Sequence, residues 1–274
     1  MTDVEDLLTF LRGAPSPYHA VASVADRLTA AGFTEVGLDQ PWEGGGARFV
    51  TRDGALVAWT TAGQDPSTPF RIVGAHTGSP NLRLKPNPDS GTAGWRQLGV
   101  EGDGGALWNS WLDRDLGLSG RVVVRGLDGF RTELLLVDRP LARIPQLAIH
   151  LDRDVNGQGL KLNPQVHLTP VWGLGPWAEG DLAGFLAREL SVDVADVVAW
   201  DLMFHDITPP TRLGRDQELV ASARLDNLLS CWAGTVALGF HQPGGGVQDV
   251  LGRHERAGRL RRPHRGTEGL VGRV

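Results

Sequence analysis

A change of texture in the middle of the chain limits what it can fold into more than any other feature. From about Pro88 to Gln217, short β-like runs follow one another: RVVVRG (121–126), RTELLLVD (131–138), LAIHL (147–151) and QVHLTPVWGLG (165–175). Gly, Pro, Asp and Asn punctuate them, and one helical stretch, GDLAGFLARELSV (180–192), comes near the end. The flanks read differently. Residues 3–36 form two helical patterns split at Gly13 to Pro17, with Ser16-Pro17 as a start signal and Gly32 as a stop. Val21, Val24, Ala25 and Leu28 fall on one face of the second pattern. ARFVTR and GALVAWTT then flank Asp53-Gly54, a hairpin dipeptide, and FRIVGAH (70–76) reads as a buried strand. After the β-rich stretch, ELVASARLDNLLSCWAGTVAL (218–238) reads as a buried helix with Leu225, Leu228, Leu229, Trp232 and Val236 on one face. An α/β pattern interrupted by a β module is the signature of an insertion. The expected divisions are 1–87 for the first part of an α/β domain, 88–217 for the insert, 218–240 for the resumed parent domain, and 241–274 for a disordered tail.

The tail differs from both. It contains three consecutive glycines and seven arginines and has no hydrophobic periodicity, so it cannot offset the entropy of ordering. With only Lys85 and Lys161 as lysines, the chain looks like the product of GC-rich DNA, and the tail like such DNA read out of frame. A net charge of −5 gives the whole chain no electrostatic reason to bind nucleic acid. The single cysteine, Cys231, rules out an intramolecular disulfide and a Cys-based zinc site. Neither a signal sequence nor a membrane-length apolar run is present, which makes the cytoplasm the expected compartment and a membrane partner unexpected.

Two positions carry candidate chemistry. His76 ends an apolar run and precedes small residues, where a strand would deliver one imidazole to a sheet rim. Asp226 stands beside Asn227 at the head of an apolar helix. Read alone, His76 is open between a metal ligand and a hydrogen-bonded turn histidine, and Asp226 between a ligand and a helix-start carboxylate. Together they would supply an imidazole and a carboxylate to a pair of divalent ions. No H-E-x-x-H and no P-loop is present. His150 and His167 alternate with apolar residues, as core or interface histidines do.

Five blocks add to this reading: FLRGAPSPYHAV, GAHTGSPNLRLKP, WNSWLDRDLGLSGRV, RIPQLAIHLDRDVNGQGLKLNPQVHLTP and SARLDNLLSCWAG. In this order, over roughly residues 8–238, they resemble the M18 metallopeptidases, the aspartyl aminopeptidase family. The resemblance implies an incomplete zinc-peptidase-type α/β domain carrying an inserted β-rich dimerisation domain. It implies two zinc ions, a peptide substrate with an acidic N-terminus, and a homo-oligomer. It also implies His76 as a metal ligand, Asp226 as the carboxylate bridging both ions, and His167 as a residue facing a neighbouring subunit's active site. Gly78 stands where the family has the Asp that orients the ligating His. The general-base Glu-Glu pair has no counterpart, since Glu255 and Glu268 lie in unmatched surroundings. The expected function is therefore an M18-type zinc aminopeptidase, truncated and impaired, with a non-catalytic assembly or regulatory subunit as the alternative.

Overall fold

A computed structural model describes residues 3–239 apart from 43–44, 62–64, 66 and 68. The expectations for 241–274, including Glu255 and Glu268, fall outside the described residues. Two layers of secondary structure build the first unit. Helix α1 (Asp3–Gly13) and helix α2 (Pro17–Ala30) meet at the predicted break. Ser16 is the N-cap of α2, its hydroxyl 2.8 Å from the His19 Nδ1, and Pro17 occupies the first turn, where its missing N–H costs nothing. Gly32, at φ +86°, ends the helix. Strands β1 (Thr34–Glu35), β2 (Ala47–Arg52) and β3 (Ala55–Thr60) form a three-stranded sheet, with β2 and β3 joined by the Asp53-Gly54 turn.

The second unit is an antiparallel six-stranded sheet. Its strands are β4 (Asn81–Thr92), β5 (Trp95–Asp103), β6 (Leu116–Gly126), β7 (Gly129–Ala142), β8 (Val171–Leu174) and β9 (Val197–Asp206), in the order β7-β6-β9-β4-β5-β8. Between β7 and β8 lie two one-turn helices, α3 (Val155–Gln158) and α4 (Pro164–His167). Helix α5 (Asp181–Leu190) follows β8 and buries Leu182, Phe185 and Leu186 in the sheet's core with Leu98, Leu118, Val122 and Phe204. A short hairpin, β10 (Thr211–Leu213) and β11 (Leu219–Ala221), leads to α6 (Leu225–Gly239). Leu228 and Trp232 of α6 pack on the core of the first unit with Phe10, Leu11, Leu28 and Phe49.

Five expectations need correction. FRIVGAH is not a buried strand: residues 70–76 form no strand, and Phe70, Ile72 and Val73 are 77%, 87% and 78% exposed. Strand propensity acts only when a neighbouring strand offers ladder partners, and among the described residues none pairs with this run. LAIHL is likewise no strand, and Leu147, Ile149 and Leu151 are exposed. QVHLTP breaks into helix α4, ending at His167, because the Asn163 side chain caps the Gln165 N–H at 2.9 Å and Pro164 presets the first helical φ. The boundary drawn at 87/88 cuts through β4, whose residues Leu82 and Arg83 already pair with β9, and we move it ahead of Asn81. Of the α6 face, Leu229 is 44% exposed rather than buried.

Candidate metal centre

The loop after residue 70 and the head of α6 bring His76 and Asp226 together across 150 residues of sequence. The His76 Nε2 lies 3.3 Å from the Asp226 Oδ1. Its other ring nitrogen, Nδ1, is 2.7 Å from the Gly78 carbonyl oxygen, which can only accept. Nδ1 therefore donates to that carbonyl, which leaves Nε2 as the ring nitrogen facing Asp226. An imidazole nitrogen and a carboxylate this close are two of the donors a cation takes. Two ligands held ~2.0–2.1 Å from a shared tetrahedral zinc lie about 3.3 Å apart, so this pair fits two positions of such a shell. It does not fill one. Among the described residues no third His, Cys, Asp or Glu joins them, and both side chains face solvent, 60% and 89% exposed.

Neighbours that sequence reasoning did not single out as a support hold the pair in place. The Asn227 side chain accepts the His76 N–H at 3.2 Å, and the Ser79 hydroxyl donates to the Asp226 carbonyl at 3.1 Å. The Cys231 thiol, whose pKa burial pushes up, points at the His76 carbonyl at 3.3 Å. Asp226 and Asn227 have non-helical dihedrals, so Asp226 precedes the regular helix instead of capping it from within. Asn227 was visible beside Asp226, but nothing in the spacing linked either to Ser79 or Cys231.

Gly78 has an ordinary φ, and a Cβ added there would meet only the Pro17 Cγ, at 3.9 Å. The position has room for a Cβ; the Gly78 carbonyl orients the ring where the resemblance leads one to expect a carboxylate. His167 is not part of this centre. It closes α4, exposed, and its Nδ1 accepts the Asn163 N–H at 3.0 Å.

The profile of the family described as "Aminopeptidase I zinc metalloprotease (M18)" matches residues 10–243. The chain belongs to the M18 peptidase family. A probable M18 family aminopeptidase 2 of Streptomyces avermitilis is 57% identical over 237 residues, covering 85% of this chain and 54% of that protein. The structure of Chaetomium thermophilum mApe1 superposes with a TM-score of 0.80 at 29% identity, over 88% of this chain and 59% of that one. An S. cerevisiae mApe1 dodecamer shares the fold, with a TM-score of 0.68 at 23% identity, over 86% of this chain and 55% of that one. This M18 chain thus has the mixed α/β fold expected of it and spans about half the length of the curated relatives it matches. Its family is one of metalloaminopeptidases, described as zinc enzymes.

Proposed function

We propose that this M18 chain carries part of a two-zinc aminopeptidase centre for peptides with acidic N-termini, and that by itself it is impaired in hydrolysis. One observation carries the reading: His76 and Asp226 converge at 3.3 Å, with the ring's tautomer fixed by Gly78. When bound, zinc would polarise the scissile carbonyl and lower the pKa of an attacking water. This chain's residues contribute the imidazole lone pair, the carboxylate and the Gly78, Asn227 and Ser79 contacts that orient them. Among the described residues none of the groups contacting the pair is a general base: they are amide, hydroxyl and thiol. The cytoplasm is the proposed compartment.

Metal content by mass spectrometry tests this directly. The purified chain is expected to hold fewer than about two zinc ions, and weakly, because two ligands leave each tetrahedral shell open. His76→Ala should abolish what binding there is. Two tightly held ions, together with cleavage of an N-terminal Asp peptide that His76→Ala and Asp226→Ala both remove, would overturn the impairment. Gly78→Asp sharpens the same test. A carboxylate is a stronger acceptor than a carbonyl, so zinc affinity should rise about tenfold in a titration with the metal alone.

A second reading, an assembly or regulatory subunit, is favoured by the contrast between the half-built centre and the closed core of the six-stranded sheet. A relative of the same fold forms a dodecamer, and we propose that this chain joins copies of itself or a full-length relative, with His167 at the contact. Failure to co-purify with such a relative, and a monomer at high concentration, would remove this reading.

A further inference from the structure

The six-stranded sheet reaches the His76 loop through polar contacts that cross between the two units. On the sheet, Arg83 of β4 holds Asp201 of β9 with two parallel hydrogen bonds, both 2.7 Å. Tyr18 of α2, itself buried, donates its hydroxyl to the same carboxylate. Burial pushes the Asp201 carboxyl up, but the bonds from Arg83 and Tyr18 outweigh it and leave the group below its usual range. Arg121 of β6 lies with its guanidinium 4.6 Å from the Tyr18 ring centroid and pairs with Asp53 in the β2–β3 turn. The next residue, Gly54, accepts the Thr77 hydroxyl at 2.6 Å, and Thr77 is adjacent to His76.

The contacts leave little slack. Gly54 must be glycine here, because a Cβ would lie 2.9 Å from the Pro17 Cβ. Among the described residues no strand pairs with the loop, and side chains tie it at two places: the head of α6 on one side, the β2–β3 turn on the other. An exposed Arg–Asp pair alone contributes little. Arg121 is better placed than that, since stacking on Tyr18 already restricts it, and the Tyr18–Asp201 bond to a charged acceptor is of the stronger kind.

We infer that Tyr18, Arg121 and Asp53 are positioning residues, through which the six-stranded sheet fixes the loop that carries His76. Its bearing on catalysis rests on the reading of His76 as a ligand; the mechanical link does not. The brace makes the inserted sheet part of the metal centre's support as well as a candidate assembly surface.

The test measures amide order parameters for residues 75–79 in the full chain. The unaltered chain should show rigid values, about 0.85, and Arg121→Ala should drop them below about 0.6. Thr77→Val breaks the last link and should give the same drop, with no further loss when combined with Arg121→Ala. Arg139→Ala, which removes the Arg139–Glu189 pair of the same sheet, should leave the loop unchanged. A loop already mobile in the unaltered chain, or rigid in both Arg121→Ala and Thr77→Val, overturns the inference. So does a loss of order that appears only as the whole chain melts. A parallel titration with zinc alone separates the two ideas. Affinity about tenfold weaker in Arg121→Ala supports both. A loop that loosens as expected in a chain that binds no zinc in any form upholds the brace and sinks the ligand reading.

Discussion

Two similar apolar runs, Arg71-Ile72-Val73-Gly74 and Arg121-Val122-Val123-Val124, meet opposite fates. The second is the middle of β6, paired by β7 on one edge and β9 on the other, and Val122 and Val124 are fully buried. Among the described residues nothing pairs with the first, and Ile72 and Val73 are among the most exposed apolar ones. Composition cannot explain the difference. Burying a Val or Ile side chain stabilises by roughly 1.5–3 kcal/mol, but only where a partner surface exists to bury it against. The six-stranded sheet brings its own partners, α5 included. The first unit does not bring them to residue 71. The same contrast separates a closed core from a half-built metal centre, because His76 sits at the end of the unpaired run.

The largest expected effect breaks this comparison at its stronger side. Phe204 is fully buried in the sheet's core, and Phe204→Ala should destabilise the chain by about 3–5 kcal/mol through lost burial and a cavity. Urea unfolding followed at Trp fluorescence would read it; a shift under about 1 kcal/mol would mean that the core is not as closed as it looks.

The next effect comes from pH. Burial pushes His19 down to about 4; burial, then Arg224 and His19, push His205 down to about 3. Unfolded, both titrate near about 6.5. Below that pH the unfolded chain binds protons that the folded chain refuses, so stability is full above about 6.5 and drains away as pH falls toward 4. At about 1.4 kcal/mol per pKa unit, His19 alone withdraws roughly 3 kcal/mol over that window. The carboxylates Asp201 and Asp206, held below their usual range, add their own loss only at lower pH. Urea midpoints at about pH 7 and pH 4.5 measure the slope; a flat profile would show that the two imidazoles are solvated.

The smallest effect belongs to the other run. Ile72→Thr should change stability by less than about 0.5 kcal/mol, since little is buried there to lose, and it should reduce self-association by removing exposed apolar surface. A loss near that of Phe204→Ala would show that residue 72 is covered in solution, and the comparison would fail.

Much of this molecule was legible in the chain. Helices α1 and α2 followed from apolar spacing, Ser16-Pro17 and Gly32. The β2–β3 hairpin followed from Asp53-Gly54. His76, Asp226 and Gly78 stood out by residue type and by resemblance, and the structure brings the first two within 3.3 Å with the third orienting the ring. Other features were not legible. Strand β4 was hidden by Pro86 and Pro88, which sit at a register shift between Leu84 and Asp89 where the ladder to β5 is interrupted. His167 looked like a strand residue because alternation over so short a run cannot outvote an Asn-Pro helix start. Nothing in the spacing linked Tyr18, Arg83, Arg121 and Asp201 to one another, scattered as they are over more than 180 residues.

The local pieces are written in the chain: where helices begin and end, where the chain turns, and which side chains have ligand chemistry. Those choices are made by backbone sterics, capping and spacing within a few residues. Only the tertiary structure decided which β-prone run becomes a strand, and which distant side chains hold His76 in place. Ladder hydrogen bonds, burial and ion pairing depend on what stands opposite a residue, and that is set by the rest of the fold.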